Sequence, residues 1–178
     1  MKTRLIQTGV ATLLASLVAI NAWAAPALLK DSQSVVVNAT PDKVWDVVGK
    51  FSDLTWVPLV KASNADRGNT IGSVRTLDLG GANMTESLKR YNADKHSYTY
   101  AIDNNEANQK LVPLSDVEAT IKVEPAPGGR SKVTWNAQFH RVDHGDNPAA
   151  GKDDEAAKKT MHGVIEAGLK GLQQRIGA

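Results

Sequence analysis

The segment from Asn38 to Pro58 constrains this chain most, because it places two helical signals and two tryptophans directly behind a strand of alternating valines. Thr40 is a favourable N-cap, Pro41 suits the first helical position, and Val44, Val47, Val48 and Phe51 recur at the spacing that gives one apolar stripe. An amphipathic helix is expected there. Ser52 is placed to cap a second short helix, Asp53 to favour its positive N-terminus, and Pro58 to stop it. The order is therefore strand, helical hairpin, strand.

Residues 1–24 read as a secretory signal peptide. Lys2 and Arg4 form a positive start, Leu5 to Ile20 is mostly apolar, and Ala22-Trp23-Ala24 is an A-x-A cleavage site. The mature chain is expected to begin at Ala25, with residues 25–33 as a linker and residues 34–178 as one domain. About 150 residues can bury a sizeable core. The apolar run is short and interrupted by Gln7 and Thr8, so no stable membrane anchor is expected. The chain has no cysteine, which rules out disulfides and a lipid-modified N-terminus and is compatible with export to a bacterial periplasm. Of 21 basic residues Lys2 and Arg4 lie in the leader, whereas all 19 acidic residues follow it, so the mature chain carries no net charge. No long basic run recommends nucleic acid as a partner.

Beyond Pro58 the chain divides into strand-like runs at Val60 to Asp66, Ser73 to Leu79, Met84 to Tyr91, Ser97 to Asp103, Asp116 to Glu124 and Ser131 to His140. Ser34 to Asn38 makes a seventh. From Asp153 the period becomes helical, with Ala157, Met161, Val164, Ile165, Leu169, Leu172 and Ile176 on one face. The expected fold is α+β: a seven-stranded antiparallel sheet, two short helices, and a long C-terminal helix lying over a cavity.

Period-two alternation fixes which side chains point inward. Arg75 shares a face with Leu77 and Leu79, and Glu86 with Met84 and Leu88. If Gly80 to Asn83 forms the hairpin loop, Leu77 lies opposite Glu86 and Arg75 sits diagonal to it, within reach of an inward ion pair. Tyr98, Tyr100 and Ile102 form a further inward stripe, as do Val117 to Val123 and Val133 to Phe139 at alternate positions. The expected ligand cavity is lined by Trp56, Arg75, Leu77, Glu86, Leu88, Tyr98, Tyr100, Trp135, Phe139, Met161 and Ile165, a surface suited to a hydrophobic small molecule or lipid. Trp135 and Phe139 read first as packing. The Arg75–Glu86 pair admits two readings, a structural salt bridge or an anchor for a polar ligand group. Tyr98 and Tyr100 either bond a ligand through their hydroxyls or reach water at the mouth.

Other motifs carry less. His140 and His144 are four residues apart, but on a strand end and loop rather than a helix, so no metal site is expected. His162 has no sequence-local partner on the terminal helix. Gly80-Gly81 precedes no helix and reads as hairpin chemistry, not a phosphate loop. Neither a nucleophile elbow, a cysteine nucleophile nor a dinucleotide fingerprint is present, and no cofactor is expected. The run from Lys152 to Lys159 mixes charges as a solvated helix start does.

Val44-Trp45 in the first helix and the later Trp56-Val57-Pro58 resemble the opening of the SRPBCC superfamily, the START-like helix-grip proteins, and in particular its polyketide cyclase branch. Over almost the whole mature length the chain is similar to the MxaD group of periplasmic proteins, accessories of bacterial methanol oxidation. The strand pair around Arg75 and Glu86, Ser97 to Tyr100, Leu111-Val112-Pro113, Asp154 to Ala157 and Ala167-Gly168-Leu169 carry that similarity. It implies a helper of a periplasmic methanol dehydrogenase in passing electrons to cytochrome c, with no cofactor of its own. Gly145 to Gly151 departs from the loop of that group. The polyketide cyclase or aromatase resemblance implies an alternative, an enzyme with Glu86 as proton acceptor, Arg75 steadying an enolate and Tyr98 as donor.

Overall fold

The computed structural model describes residues 26–177, so the expected leader lies outside the described residues. The order is β1 (Leu29–Val37), α1 (Pro41–Val48), β2 (Ala62–Ala65), β3 (Val74–Asp78), β4 (Asn83–Asn92), β5 (Ser97–Ile102), α2 (Glu106–Leu111), β6 (Leu114–Ala126), β7 (Arg130–Arg141) and α3 (Asp154–Ile176). One antiparallel sheet runs β1-β7-β6-β5-β4-β3-β2. Its inner face is covered by α3, which packs on β1 and β7, and by α1, which packs toward β6 and β7. Among the described residues no helix is long and apolar enough to cross a membrane.

The alternating stripes meet as expected. Val117, Ala119, Ile121 and Val123 of β6 and Val133, Trp135, Ala137 and Phe139 of β7 are all buried beneath Ala157, Met161, Ile165, Leu169 and Leu172 of α3. Asp153 caps α3 by accepting from the Ala156 amide at 2.8 Å. Thr40 occupies the N-cap position of α1, although its side chain makes no capping bond.

Three local expectations are corrected. The strand that was expected from Ser34 begins at Leu29, so residues 29–33 belong to the sheet and not to a linker. Its inward positions include Asp31 and Gln33, whose polarity hides the alternation. Gln33 Nε2 bonds Asp31 Oδ2 at 3.0 Å and the His162 carbonyl on α3 at 2.9 Å, which makes those positions tolerable. The second helix is not at Ser52. Residues 54–60 instead form consecutive turns, with Val57 N donating to Leu54 O and Val60 N to Val57 O, both at 2.9 Å. The second short helix is α2, whose buried residue is Asn108 rather than a hydrophobe.

The β3–β4 hairpin is also tighter than expected. Leu79 N donates to Ala82 O at 2.9 Å, leaving Gly80 and Gly81 as a two-residue loop with positive φ at both. The register therefore moves by two residues. Leu77 faces Met84, and Arg75 faces Glu86 directly instead of diagonally.

Candidate functional site

Arg75 and Glu86 form the one buried ion pair among the described residues, with side chains 0 % and 4 % exposed. Arg75 Nε donates to Glu86 Oε2 at 2.8 Å, and Nη2 donates to the same oxygen. The remaining guanidinium nitrogen, Nη1, donates to the Phe51 carbonyl at 3.0 Å, and the guanidinium lies over the Phe51 ring, 4.3 Å from its centre. This partner comes from the turn that follows α1, so the pair ties the sheet to the covering segment. Burial works to lower the Arg75 pKa, but the charge and hydrogen bond of Glu86 together with the neighbouring Tyr98 and Tyr100 outweigh it, and the net shift is upward. Arg75 is therefore always cationic. Burial raises the Glu86 pKa and the Arg75 charge offsets this only in part.

Beside the pair is an apolar cavity of about 110 Å³. Its floor is Leu77, Met84, Glu86, Tyr100 and Trp135 on the sheet, and Met161 and Val164 of α3 close one side. The turns that contain Leu54, Val57 and Val60 close the other. Bonds from i to i+3 give a three-residue repeat, which turns these three side chains toward one side. Leu59, Leu79, Ile102 and Val112 form the mouth, and Leu59 is 56 % exposed.

Of the eleven side chains expected to line a cavity, Leu77, Glu86, Tyr100, Trp135 and Met161 do so. Trp56, Arg75, Leu88, Tyr98, Phe139 and Ile165 do not; they are buried in the surrounding core. The reason is the segment that follows α1. Phe51 stacks edge-on against Tyr98 with centres 6.0 Å apart and covers Arg75, so that half of the inner face is filled. Trp56 packs edge-on against Trp135 at 5.6 Å. Leu54, Val57, Leu59, Val60, Leu79, Met84, Ile102, Val112, Leu114 and Val164 complete the lining. For Leu54, Val57 and Val60 the signal was their spacing of three, which a helical reading overlooks.

Polar atoms around the cavity are incompletely paired. Both Arg75 bonds go to Glu86 Oε2 and none to Oε1, and the Tyr100 hydroxyl lies beside the Trp135 side chain, which can only donate to it and so leaves the Tyr100 O–H free to donate. The indole nitrogens of Trp56 and Trp135 and the hydroxyl of Tyr98 are buried without a partner. Burial raises the pKa of both tyrosines, most strongly Tyr100, so both hydroxyls are neutral. The cyclase-like trio is not assembled around the cavity: Glu86 lines it, whereas Arg75 and Tyr98 are sealed behind Phe51.

The histidines are elsewhere. His140 Nδ1 lies 3.0 Å from the Ala27 carbonyl and His144 Nε2 2.8 Å from Ser115 Oγ. His162 gains a partner that the sequence did not show, Asp31, whose Oδ2 is 3.2 Å from Nδ1. Among the described residues no cluster of three or more His, Asp or Glu side chains forms a metal-binding group.

The profile of the family described as polyketide cyclase / dehydrase and lipid transport matches residues 30–177. Among solved structures, the chain is similar to the protein XoxI from Bacillus cereus, at 28 % identity and a TM-score of 0.68, over 83 % of this chain and 94 % of that one. It is also similar to an uncharacterized protein from Bacillus thuringiensis, at 27 % identity and a TM-score of 0.69, over 83 % and 98 %. Ara h 8.0201, at 20 % identity and a TM-score of 0.58 over 83 % and 99 %, shares the fold. No protein with a curated description matches.

Proposed function

The chain belongs to the polyketide cyclase/dehydrase and lipid transport family of the SRPBCC superfamily, and from that premise we propose that it is a periplasmic, non-catalytic binder of a largely apolar small molecule. The observation that carries this reading is the cavity between the 54–60 turns, the β3–β5 face and α3, walled by aliphatic and aromatic side chains with the carboxylate of Glu86 at its floor. Export rests on the leader-like residues 1–24, and the lack of cysteine is compatible with it.

Size narrows the ligand. A cavity of about 110 Å³ is below the roughly 300–1,000 Å³ of pockets that enclose drug-sized molecules. A lipid or quinone therefore enters only if the Leu54 to Val60 turns swing away from α3. A cyclase mechanism is disfavoured because two of its three groups do not face the space where a substrate would sit.

A second reading has its own support. Leu111-Val112-Pro113, among the stretches similar to the MxaD group, stands at the cavity mouth, where Leu59 and Leu111 are exposed. On this reading the mouth contacts a periplasmic dehydrogenase or its cytochrome c, and the ligand state of the cavity governs that contact.

The test is native mass spectrometry of protein recovered from the periplasm, with displacement of an apolar fluorescent probe. A mature mass beginning at Ala25 and a bound small molecule are expected. An intact leader would refute export, and an empty protein that ignores every apolar probe would reduce the domain to a packed scaffold. Pull-down followed by dehydrogenase-to-cytochrome transfer rates examines the second reading; unchanged rates and no captured dehydrogenase would remove it.

A further inference from the structure

The cavity is small, and its polar atoms are few and specific. We propose that it takes a neutral molecule of about the size of phenol that carries one hydroxyl, which donates to Glu86 Oε1 and accepts from the Tyr100 hydroxyl. This deepens the binding reading above and rests on it.

Three observations converge. The first is size: an apolar cavity of roughly 150 Å³ admits benzene, so about 110 Å³ with a mouth open past Leu59 holds at most a six-membered ring or a short chain. The second is pairing. Glu86 Oε2 is occupied by both Arg75 bonds, whereas Oε1 accepts neither. Tyr100 is diagonal to Glu86 across the β4–β5 ladder, where Glu86 faces Ile102 and Leu88 faces Tyr100. It lines the same cavity, and the orphaned Trp135 indole belongs to the same wall. An ionised carboxylate only accepts and a phenol both donates and accepts, so the two together complement a hydroxyl.

The third is charge. Arg75 already neutralises Glu86, so a cationic ligand would add a second positive charge beside a desolvated guanidinium. An anionic ligand would meet Glu86 itself. A neutral donor avoids both costs, and a pure hydrocarbon leaves Oε1 without a partner.

Phenol and toluene differ only in hydroxyl against methyl and serve as the probes, with binding followed by calorimetry and by the indole and methyl NMR signals of Trp135 and Met161. A wholly apolar cavity prefers toluene, because burying an unpaired hydroxyl is costly. The expected result is tighter binding of phenol. Tyr100→Phe, which keeps the ring, is expected to weaken phenol by about tenfold and leave toluene unchanged, and Val164→Phe, which enlarges the α3 wall into the cavity, to weaken both. If toluene binds more tightly than phenol and both are blocked by Val164→Phe, hydroxyl recognition is wrong while the apolar-binder reading stands. If neither binds, both fail. Phenol binding that survives Tyr100→Phe and Val164→Phe places the site elsewhere and overturns the inference.

Discussion

Arg75 holds the centre of the molecule because every one of its partners is buried with it. Removing one member of such a pair leaves the other charged and dry. Arg75→Met is therefore expected to destabilise by roughly 3–5 kcal/mol, and denaturant unfolding measures it. The double variant Arg75→Met, Glu86→Leu should recover most of that loss, because a buried pair gains little over well-packed apolar groups. Failure of the double variant to recover would show that the Phe51 carbonyl bond, not the ion pair, holds this segment. A second residue-scale effect comes from three carboxylates. Burial of Asp53 opposes ionisation, but the Thr55 bonds and Arg175 lower its pKa overall. Bonds from Ser73 and Val74 lower that of Asp66, and amide bonds from Ala149 and Gly145 lower that of Asp143. The unfolded chain, with Asp near about 3.9, binds more protons than the folded one just below that value. Stability therefore rises with pH there, is complete above it, and is lost as pH falls through the native values. Thermal midpoints across the acid range should show this slope, and Asp66→Asn should reduce it.

At the scale of elements, α3 comes close to the sheet where it carries glycine. A Cβ on Gly168 would lie 2.5 Å from Trp135 Cζ3, and one on Gly171 would lie 2.6 Å from Pro58 Cδ. These two glycines let the helix rest on the cavity floor and on the turns that close it. Gly163 is on the same helix with nothing near its missing Cβ. Gly168→Ala and Gly171→Ala are each expected to cost about 1–3 kcal/mol by overpacking. Gly163→Ala should instead stabilise by roughly 0.5–1 kcal/mol, since only the helix-entropy effect remains. Opposite signs from one substitution on one helix are the signature, read from denaturant midpoints. Equal effects at all three would mean that α3 does not depend on close approach.

Across the whole molecule, the first strand and the last helix close the fold together. β1 pairs with β7 from Leu29↔Phe139 to Val37↔Ser131 and packs on α3. Leu29 is buried, and Asp31 and Gln33 bond α3. A chain beginning at Ala25 should therefore keep full stability, whereas one beginning at Ser34 loses five ladder residues and the burial of Leu29. That burial alone is worth about 1.5–3 kcal/mol. A truncated chain with an unchanged thermal midpoint would show that the strand matters only from Ser34 onward.

The sequence by itself determined whatever depends on period and on turn chemistry. The valine stripe from Thr40 to Phe51, the alternation within β3 to β7 and the α3 stripe each present one apolar face, and a single sheet under a helix buries them all. It also placed Arg75 and Glu86 on the inner face, because parity is a local property. Register was not local. A two-residue Gly80-Gly81 loop rather than a four-residue one moved Arg75 opposite Glu86. The first five residues of β1 and the whole of α2 escaped the reading because Asp31, Gln33 and Asn108 occupy inward positions and find their partners far along the chain or across a turn. The cavity was decided last, by volume. Whether an inward side chain lines a space or fills it depends on how far Phe51 and the 54–60 turns reach across the sheet, and only their packing against Tyr98, Trp135 and α3 sets that distance.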